Sequence, residues 1–186
     1  NLTINKRINY EIILVNDGSV DNTVSVAKQN DVIVLSHNRN RGKGEALKTG
    51  FAKTLSLNWD GVITVDADGQ HDPDQIEKVI GMIPPYDLVV GARLAGYQGP
   101  WHREIANGFY NRFSSWISRT EIKDLTSGFR AMRREALLNF LELIPEGFSA
   151  PTTITLSFLK AGYNVAFTPV TVLQRSAGRS KINIFK

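Results

Sequence analysis

Residues 61–71 read GVITVDADGQH, a short apolar run that ends in two aspartates one position apart. The run at 61–65 is rich in β-branched residues and is followed by turn-forming residues, which predicts a strand. Asp66 and Asp68 come directly after the carboxyl end of this strand, and Gln70 lies two positions further on. In mainly parallel sheets, ligands bind beyond that end of the strands. We therefore expect these three side chains to border a ligand site.

The rest of the chain alternates short apolar runs with segments of helical periodicity. Strands are predicted at residues 10–15, 32–35, 61–65, 88–90, 128–132, 163–167 and 170–173. Helices are predicted from Asp21 or Asn22 to 29, at 42–57, from Pro73 onward, and at 101–117, 134–141 and 152–161. This alternation indicates an α/β fold with a mainly parallel, Rossmann-like sheet and helices on both faces. The 186 residues fit a single domain over 1–186.

The pair Asp66 and Asp68, with Gln70, offers hard oxygen ligands of the kind that Mg²⁺ and Mn²⁺ prefer. A simpler interpretation is that the two aspartates only form a turn. A calcium loop would also suit the spacing, but His71 stands where that loop needs glycine, and a strand precedes the loop instead of a helix. A phosphatase with a nucleophilic aspartate has threonine or valine at the position of Gln70.

Three basic segments are candidates for contacts with phosphate. Residues 38–44 read NRNRGKG and open a predicted helix, so Lys43 and the helix N-terminus could attract phosphate, although P-loop spacing is missing. Arg93 follows a predicted strand, and residues 175–181 contain three cations. The alternative for each segment is a solvent-exposed surface that binds no ligand, since most charged segments of proteins are of this kind.

Composition excludes several classes of function. The chain has no cysteine, which excludes disulfides, zinc–thiolate sites and thiol catalysis. Its net charge of +4 is small and scattered, and no basic and aromatic residues interleave, so we expect no nucleic-acid partner. The apolar runs are too short to span a bilayer.

Together these segments resemble the inverting family 2 glycosyltransferases of the GT-A fold, and among them the dolichyl- and polyprenyl-phosphate sugar synthases. The stretches that carry the resemblance are 15–23 (VNDGSVDNT), 40–47 (NRGKGEAL), 66–71 (DADGQH), 91–93 (GAR), 124–130 (DLTSGFR) and 175–181 (RSAGRSK). The resemblance implies sugar transfer from GDP-mannose or a UDP-sugar to a polyprenyl or dolichyl phosphate, with Mg²⁺ or Mn²⁺. It also implies a role in cell-envelope glycan biosynthesis, at the cytoplasmic face of a membrane.

The resemblance also assigns roles to individual residues. Those expected to act in catalysis are Asp66, Asp68, Arg93 and Asp124. Those expected to bind the nucleotide sugar or a phosphate are Val15, Asp17, Lys43, Asp66, Ala67, Asp68, Arg93, Arg130, Arg175 and Lys181. Those expected to reach the metal are Asp68 and Gln70. Asp124 and Arg130 are also expected to lie near the acceptor.

The chain departs from the family pattern at both ends. The usual opening strand with its Pro-x-Tyr-Asn-Glu motif is missing, and the sequence stops shortly after Lys181. We therefore expect a fragment, truncated at both ends, that lacks the first strand of the fold.

Alternative functions remain open at this point. Transfer to a glycan hydroxyl would need a general base, for which Asp124 is the candidate. A non-catalytic nucleotide-binding module is a further alternative. Helix 101–117 carries an apolar face that either packs in the core or borders the lipid chain of the acceptor; the residues at this helical spacing are Ile105, Phe109, Phe113, Trp116 and Ile117.

Overall fold

A computed structural model describes residues 8–93 and 101–173. The strands are β1 (Ile13–Asn16), β2 (Ile33–Ser36), β3 (Gly61–Thr64), β4 (Leu88–Arg93), β5 (Arg130–Arg133) and β6 (Val165–Val170). The helices are α1 (Thr23–Ala27), α2 (Lys43–Ser56), α3 (Ile76–Ile80), α4 (Trp101–Ser118), α5 (Arg134–Phe140) and α6 (Ala150–Lys160). Short 3₁₀ turns at Pro73–Gln75 and Leu141–Leu143 precede α3 and follow α5.

The strands form two sheets. β1 and β2 are a parallel pair, and the second sheet has the order β3-β5-β4-β6. In the second sheet β4 and β6 are parallel, whereas β5 runs antiparallel to both β3 and β4. The predicted α/β fold with strands running mainly in one direction is confirmed. The single reversed strand, β5, is a feature that the alternating pattern did not predict.

Helices cover both faces of the larger sheet. Leu88 and Val90 of β4 pack in a core with α2, α5 and α6, whereas Val89 points to the other face and packs with α3. This alternation follows from the two-residue period of a strand. Helix α2 contacts both β1 and β3, so it also connects the two sheets. The carboxyl ends of β1 and β3 therefore lie near the N-terminus of α2.

The prediction of two closing strands was wrong. A single strand, β6, replaces them and pairs only with β4 among the described strands. Pro169 lies inside β6, and proline is tolerated there because β6 is an edge strand. Val172 forms only an isolated bridge to His71.

Of the two alternatives for the apolar face of α4, core packing does not fit the described side chains. Phe109, Phe113, Trp116 and Ile117 are exposed, with Trp116 at 77% of its full accessibility. The side chain of Ile105 lies outside the described part of the structure. Within residues 8–93 and 101–173, none of the helices combines the length and apolar character needed to cross a membrane.

Candidate active site

Asp66 is held between the first residue of α2 and the backbone that leads into β5. Both of its carboxylate oxygens accept from Lys43 Nζ, at 2.7 and 2.9 Å. Gly128 lies directly against it, since a Cβ at position 128 would be 2.6 Å from Asp66 Cγ. Lys43 and Asp66 were both predicted site residues, and they are in direct contact. The pair brings the start of α2 to the end of β3.

Gly128 allows Asp66 to take this position, which leads to a testable consequence. In Gly128→Ala the added methyl group should push the Asp66 carboxylate away from Lys43. Because the carboxylate is the end of a flexible side chain, it can move without a shift of the backbone. We expect the KM for the donor to rise about 10-fold or more, as for other residues that orient a site, and the free energy of unfolding to change by less than about 1 kcal/mol. Steady-state kinetics and urea denaturation would measure these effects.

Gly147→Ala is the matched control, because no atom lies within 4 Å of a Cβ built there. An unchanged donor KM in Gly128→Ala would show that the position of Asp66 does not matter for binding.

Asp68 and Gln70 lie in the turn that follows Asp66. Asp68 Oδ1 accepts the backbone N–H of Gln70 at 3.1 Å. The carbonyl oxygen of Gln70 in turn accepts the N–H of Leu173 at 2.9 Å, which ties the turn to the chain after β6. Ala67 between the aspartates is exposed. The turn is thus fixed at its backbone, and the side chains that bear oxygen remain partly accessible.

His71 borders the same turn, although it was not among the predicted site residues. Its ring lies 5.1 Å from that of Phe129, and its Nδ1 atom is buried without a hydrogen-bond partner among residues 8–93 and 101–173. Burial lowers the pKa of His71, although the nearby carboxylates of Asp66 and Asp68 oppose this effect. The imidazole is therefore neutral near pH 7.

These residues fit a divalent cation of the hard, oxygen-binding type. Two carboxylates and an amide oxygen lie within one turn, and Mg²⁺ or Mn²⁺ is commonly bound by one or two carboxylates together with water and substrate phosphates. In the described ranges, no three side chains of His, Cys, Asp or Glu converge on one point.

Arg93 and Asp124 form a second pair at the end of β4. Arg93 Nε donates to Asp124 Oδ2 at 2.7 Å, and Arg93 Nη2 donates to Asp124 Oδ1 at 2.9 Å. Arg93 Nη2 also contacts the Thr126 hydroxyl. The carboxylate accepts further hydrogen bonds from the backbone N–H groups of Thr126 and Ser127, at 3.0 and 3.1 Å. The pair fixes the guanidinium of Arg93 in one plane at the rim of the sheet.

This environment keeps Asp124 ionised. Its burial alone would raise the pKa, but the hydrogen bonds and the positive charge of Arg93 outweigh burial, so the pKa lies below the ordinary value. A carboxylate in this state has little tendency to accept a proton near pH 7. Its geometry suits the orientation of Arg93 better than general-base catalysis.

Arg130, which was expected to contact a substrate phosphate, lies inside the protein and donates to acceptors of the chain itself. Arg130 is only 2% exposed, and its guanidinium donates to Ser127 O, Leu125 O and Thr155 Oγ1, each at 2.6 Å. Burial lowers its pKa to about 10, and the charges of Asp124 and Asp66 oppose that shift. Arg130 remains charged at neutral pH. Its hydrogen bonds to the carbonyl oxygens of Leu125 and Ser127 hold the loop that carries Asp124.

Asp17, at the end of β1, organises the basic loop before α2. Its carboxylate accepts the backbone N–H groups of Arg41 and Gly42, at 2.8 and 2.9 Å, and contacts His37 Nδ1 at 2.7 Å. Burial would raise the pKa of Asp17, but these hydrogen bonds outweigh it and the pKa is lowered. His37 Nε2 reaches Thr49 Oγ1 at 2.9 Å, so His37 links Asp17 to α2.

Sequence reasoning missed His37, since a lone histidine before a loop carries no spacing signal. Gly18 adds to the same arrangement, because its φ of +74° and the backbone of Arg39 leave no room for a side chain.

An open cleft of about 400 Å³ adjoins this loop. It is lined by Ser36, His37, Asn38, Arg39 and Arg41. Val15, which the resemblance assigned with Asp17 to binding of the nucleotide sugar, lies close to Gly50 of α2. Arg175 and Lys181 lie outside the described residues. The structure thus brings together Lys43 with Asp66, Arg93 with Asp124, and Asp68 with Gln70.

Comparison with known proteins identifies the same class of protein. Residues 2–140 match the family Glycosyl transferase family 2. Polyprenol monophosphomannose synthase of Mycolicibacterium smegmatis is 28% identical over 185 residues, which cover 92% of this chain and 70% of that protein. Undecaprenyl-phosphate mannosyltransferase of Micrococcus luteus is 27% identical over 187 residues, with coverages of 93% and 76%.

Solved structures share the fold. Glucosyl-3-phosphoglycerate synthase of Mycobacterium tuberculosis, crystallised with Mn²⁺, uridine diphosphate and phosphoglyceric acid, superimposes with a TM-score of 0.70 at 19% identity. The superposition covers 90% of this chain and 61% of that one, so the chain spans about three fifths of the length of that structure. At this identity the likeness establishes the fold, which is the predicted GT-A fold.

Proposed function

Because the chain belongs to glycosyl transferase family 2, we propose that it transfers a sugar from a nucleoside diphosphate sugar to a polyprenyl or dolichyl phosphate. GDP-mannose and UDP-sugars are the candidate donors. The names of the two relatives above, both of which act on polyprenyl phosphates, support this acceptor. We further propose that the reaction takes place at the cytoplasmic face of a membrane, where a lipid phosphate is accessible.

The observation that carries this proposal is the state of Asp124. A sugar hydroxyl is a weak nucleophile and needs a base to remove its proton, whereas a phosphate monoester is already ionised near neutral pH. Asp124 is buried and binds Arg93 through both oxygens. A carboxylate with a lowered pKa and this many donors is a poor base. The site therefore suits a phosphate acceptor better than a hydroxyl.

The proposed reaction is a single displacement with inversion. An oxygen of the acceptor phosphate attacks the anomeric carbon, and the bond from that carbon to the nucleoside diphosphate breaks on the opposite face. The sugar is then joined to the lipid phosphate, and the nucleoside diphosphate leaves with the bonding electron pair. No proton needs to be moved in this step.

The protein's task is to stabilise negative charge on the leaving diphosphate. Asp68 and Gln70 would hold Mg²⁺ or Mn²⁺, which when bound supplies positive charge next to that diphosphate. The Mn²⁺ in the structural relative supports this assignment. Lys43 holds Asp66 in place at the start of α2, and Arg93, oriented by Asp124, would face the phosphates.

The variant Asp124→Asn tests the acceptor. We expect transfer to a short polyprenyl phosphate to fall by less than about 100-fold, the low end of what losing a general base costs. The remaining loss would come from a less well oriented Arg93. Radiolabelled sugar transfer should be measured with the polyprenyl phosphate, with the matching polyprenol and with a glycan acceptor.

Thr126→Val is a control that removes one neighbour of Arg93 and leaves the carboxylate. Transfer to the glycan hydroxyl that collapses in Asp124→Asn, with none to the lipid phosphate, would contradict the proposal in favour of the hydroxyl acceptor.

A further inference from the structure

The side chain of His37 is almost completely buried between the ends of β1 and β2 and helix α2. Only 7% of the side chain is exposed. Its Nδ1 atom lies 2.7 Å from Asp17 Oδ1, and its Nε2 atom lies 2.9 Å from Thr49 Oγ1. The Asp17 carboxylate is ionised and can only accept, so Nδ1 carries a proton whether the ring is neutral or charged. His37 therefore donates a hydrogen bond to a residue that was expected to bind the nucleotide sugar.

Asp17 in turn fixes the backbone that leads into α2. Its two oxygens accept the N–H groups of Arg41 and Gly42, which directly precede the first residue of the helix. The outer torsion of an aspartate side chain is soft, so the groups that donate to this carboxylate set its plane. Residues 8–93 and 101–173 supply three such donors, including His37, and a carboxylate accepts about four. Within that part of the chain, Asp17 thus keeps an acceptor position for a ligand, and 18% of its side chain is exposed.

The backbone amide groups at the start of α2 are used within the protein. The N–H groups of Gly44 and Glu45 donate to the Glu146 carbonyl oxygen, at 2.8 and 3.3 Å. Together with the two N–H groups that the carboxylate accepts, they are satisfied without a ligand. A phosphate that approaches this end of α2 therefore meets the Lys43 ammonium group, which lies 2.7 Å from Asp66 Oδ1. The position of Lys43 depends on the residue before it, whose N–H the carboxylate holds.

We infer that His37 is a positioning residue for the nucleotide donor, which acts by holding the Asp17 carboxylate in the plane that binds the donor. The inference rests on the proposed use of a nucleoside diphosphate sugar and adds a residue that determines how tightly this donor is bound. His37 orients Asp17, and Asp17 anchors the start of α2. From there Lys43 reaches Asp66 at the end of β3. Loss of the Nδ1 donor lets the carboxylate turn, which displaces both the acceptor position on Asp17 and the ammonium group of Lys43.

Two substitutions of His37 separate its two contacts. The side-chain nitrogen of asparagine is as many bonds from Cβ as Nδ1, whereas that of glutamine corresponds to Nε2. His37→Asn therefore keeps a donor for Asp17, and His37→Gln keeps the contact with Thr49 but loses that donor. The Kd for GDP and for UDP is measured by titration calorimetry with Mn²⁺ present. We expect it to rise about 10-fold or more in His37→Gln, as for other residues that orient a binding group. In His37→Asn the rise should be less than about 3-fold, because the hydrogen bond to the carboxylate is retained.

Controls separate this effect from a loss of stability. Both variants remove a buried ring, so both should lower the free energy of unfolding by a similar amount, which urea denaturation measures. Phe51→Leu is the control for lost stability alone, because Phe51 is 2% exposed and packs in the core with Leu88 and Val90. Its nucleotide affinity should match that of the wild type. In steady-state transfer, His37→Gln should raise the donor KM and leave kcat nearly unchanged, since the lost interaction serves binding.

Two results would overturn the inference. An equal loss of nucleotide affinity in His37→Asn, His37→Gln and Phe51→Leu would show that His37 only stabilises the fold. An unchanged affinity in His37→Gln would show that Asp17 does not depend on it. Because nucleotide binding is measured without an acceptor, either result leaves the proposed function standing. A wild type that binds nucleotide but transfers no sugar to a polyprenyl phosphate would instead contradict the proposed function and leave the role of His37 standing.

Discussion

Asp68→Asn should abolish metal-dependent nucleotide binding and leave the fold intact. Asparagine keeps an oxygen that can accept the Gln70 N–H, so the turn should persist. What is lost is the negative charge that a hard divalent cation requires. Loss of residues that only orient a ligand costs about 10–100-fold in metal affinity, and loss of a ligand should cost at least as much. Sugar transfer should fall by about 10²–10³-fold, as when one group that stabilises developing charge is removed.

Titration calorimetry with GDP and UDP, with and without Mn²⁺, measures the first effect, and thermal unfolding checks the fold. Asp74→Asn is the matched control, because Asp74 is an exposed carboxylate six positions along the chain. If the wild type binds both nucleotides equally well with and without Mn²⁺, the assignment of Asp68 and Gln70 to a metal is wrong.

The site at the end of β3 could be predicted because its signal is local. A β-branched run followed by Asp66 and Asp68 places the carboxylates at the end of a strand wherever that strand lies in the sheet. The same reasoning located Asp17 after β1 and Arg93 at the end of β4. The strands and helices that hold the site were therefore largely predictable, apart from their bounds and the single closing strand.

The direction of β5 could not be predicted in this way. Periodicity indicates a strand but carries no information about which way it runs, and the helix α4 between β4 and β5 suggested a parallel crossover. The direction of β5 is decided by pairing partners that are distant in sequence. Val62 of β3 pairs with Met132, and Leu88 of β4 pairs with the same residue.

The exposure of the apolar face of α4 also could not be predicted from the sequence. Helical spacing shows that Phe109, Phe113 and Trp116 share one face, but the same spacing serves a face that packs in the core and one that points outward. The side chains of Asn111 and Ser115, which fix the opposite face, find their partners in the chain after the helix.

Arg130 is the clearest case of a role that depends on distant partners, and it leads to the second large effect. A charged residue in a strand is expected at the surface, since buried arginines are rare. Here the guanidinium lies inside the protein because three acceptors, from the segment 125–127 and from α6, meet it. The side chain thus connects the loop that carries Asp124 to α6.

Arg130→Ala should therefore destabilise the chain by about 2–5 kcal/mol. The substitution removes a large buried side chain and leaves buried acceptors without donors, which is costly. Thr155 retains its own bond to the Pro151 carbonyl oxygen, so the carbonyl oxygens of Leu125 and Ser127 are the groups left unpaired. Arg130→Lys should recover only part of the loss, because an ammonium group cannot reproduce the planar set of donors. Urea denaturation measures these differences.

Arg133→Ala is the matched control, because Arg133 lies on the same strand and its ion pairs with Asp87 and Glu135 are partly exposed. Such pairs contribute about 0–1 kcal/mol. If Arg130→Ala proves as mild as this control and instead raises the KM for polyprenyl phosphate, Arg130 contacts the acceptor after all. We expect the free energy of unfolding to fall strongly in Arg130→Ala, to recover in part in Arg130→Lys and to change little in Arg133→Ala. This ranking would show that Arg130 stabilises the loop that carries Asp124, because loss of a surface contact with substrate would not lower the free energy of unfolding.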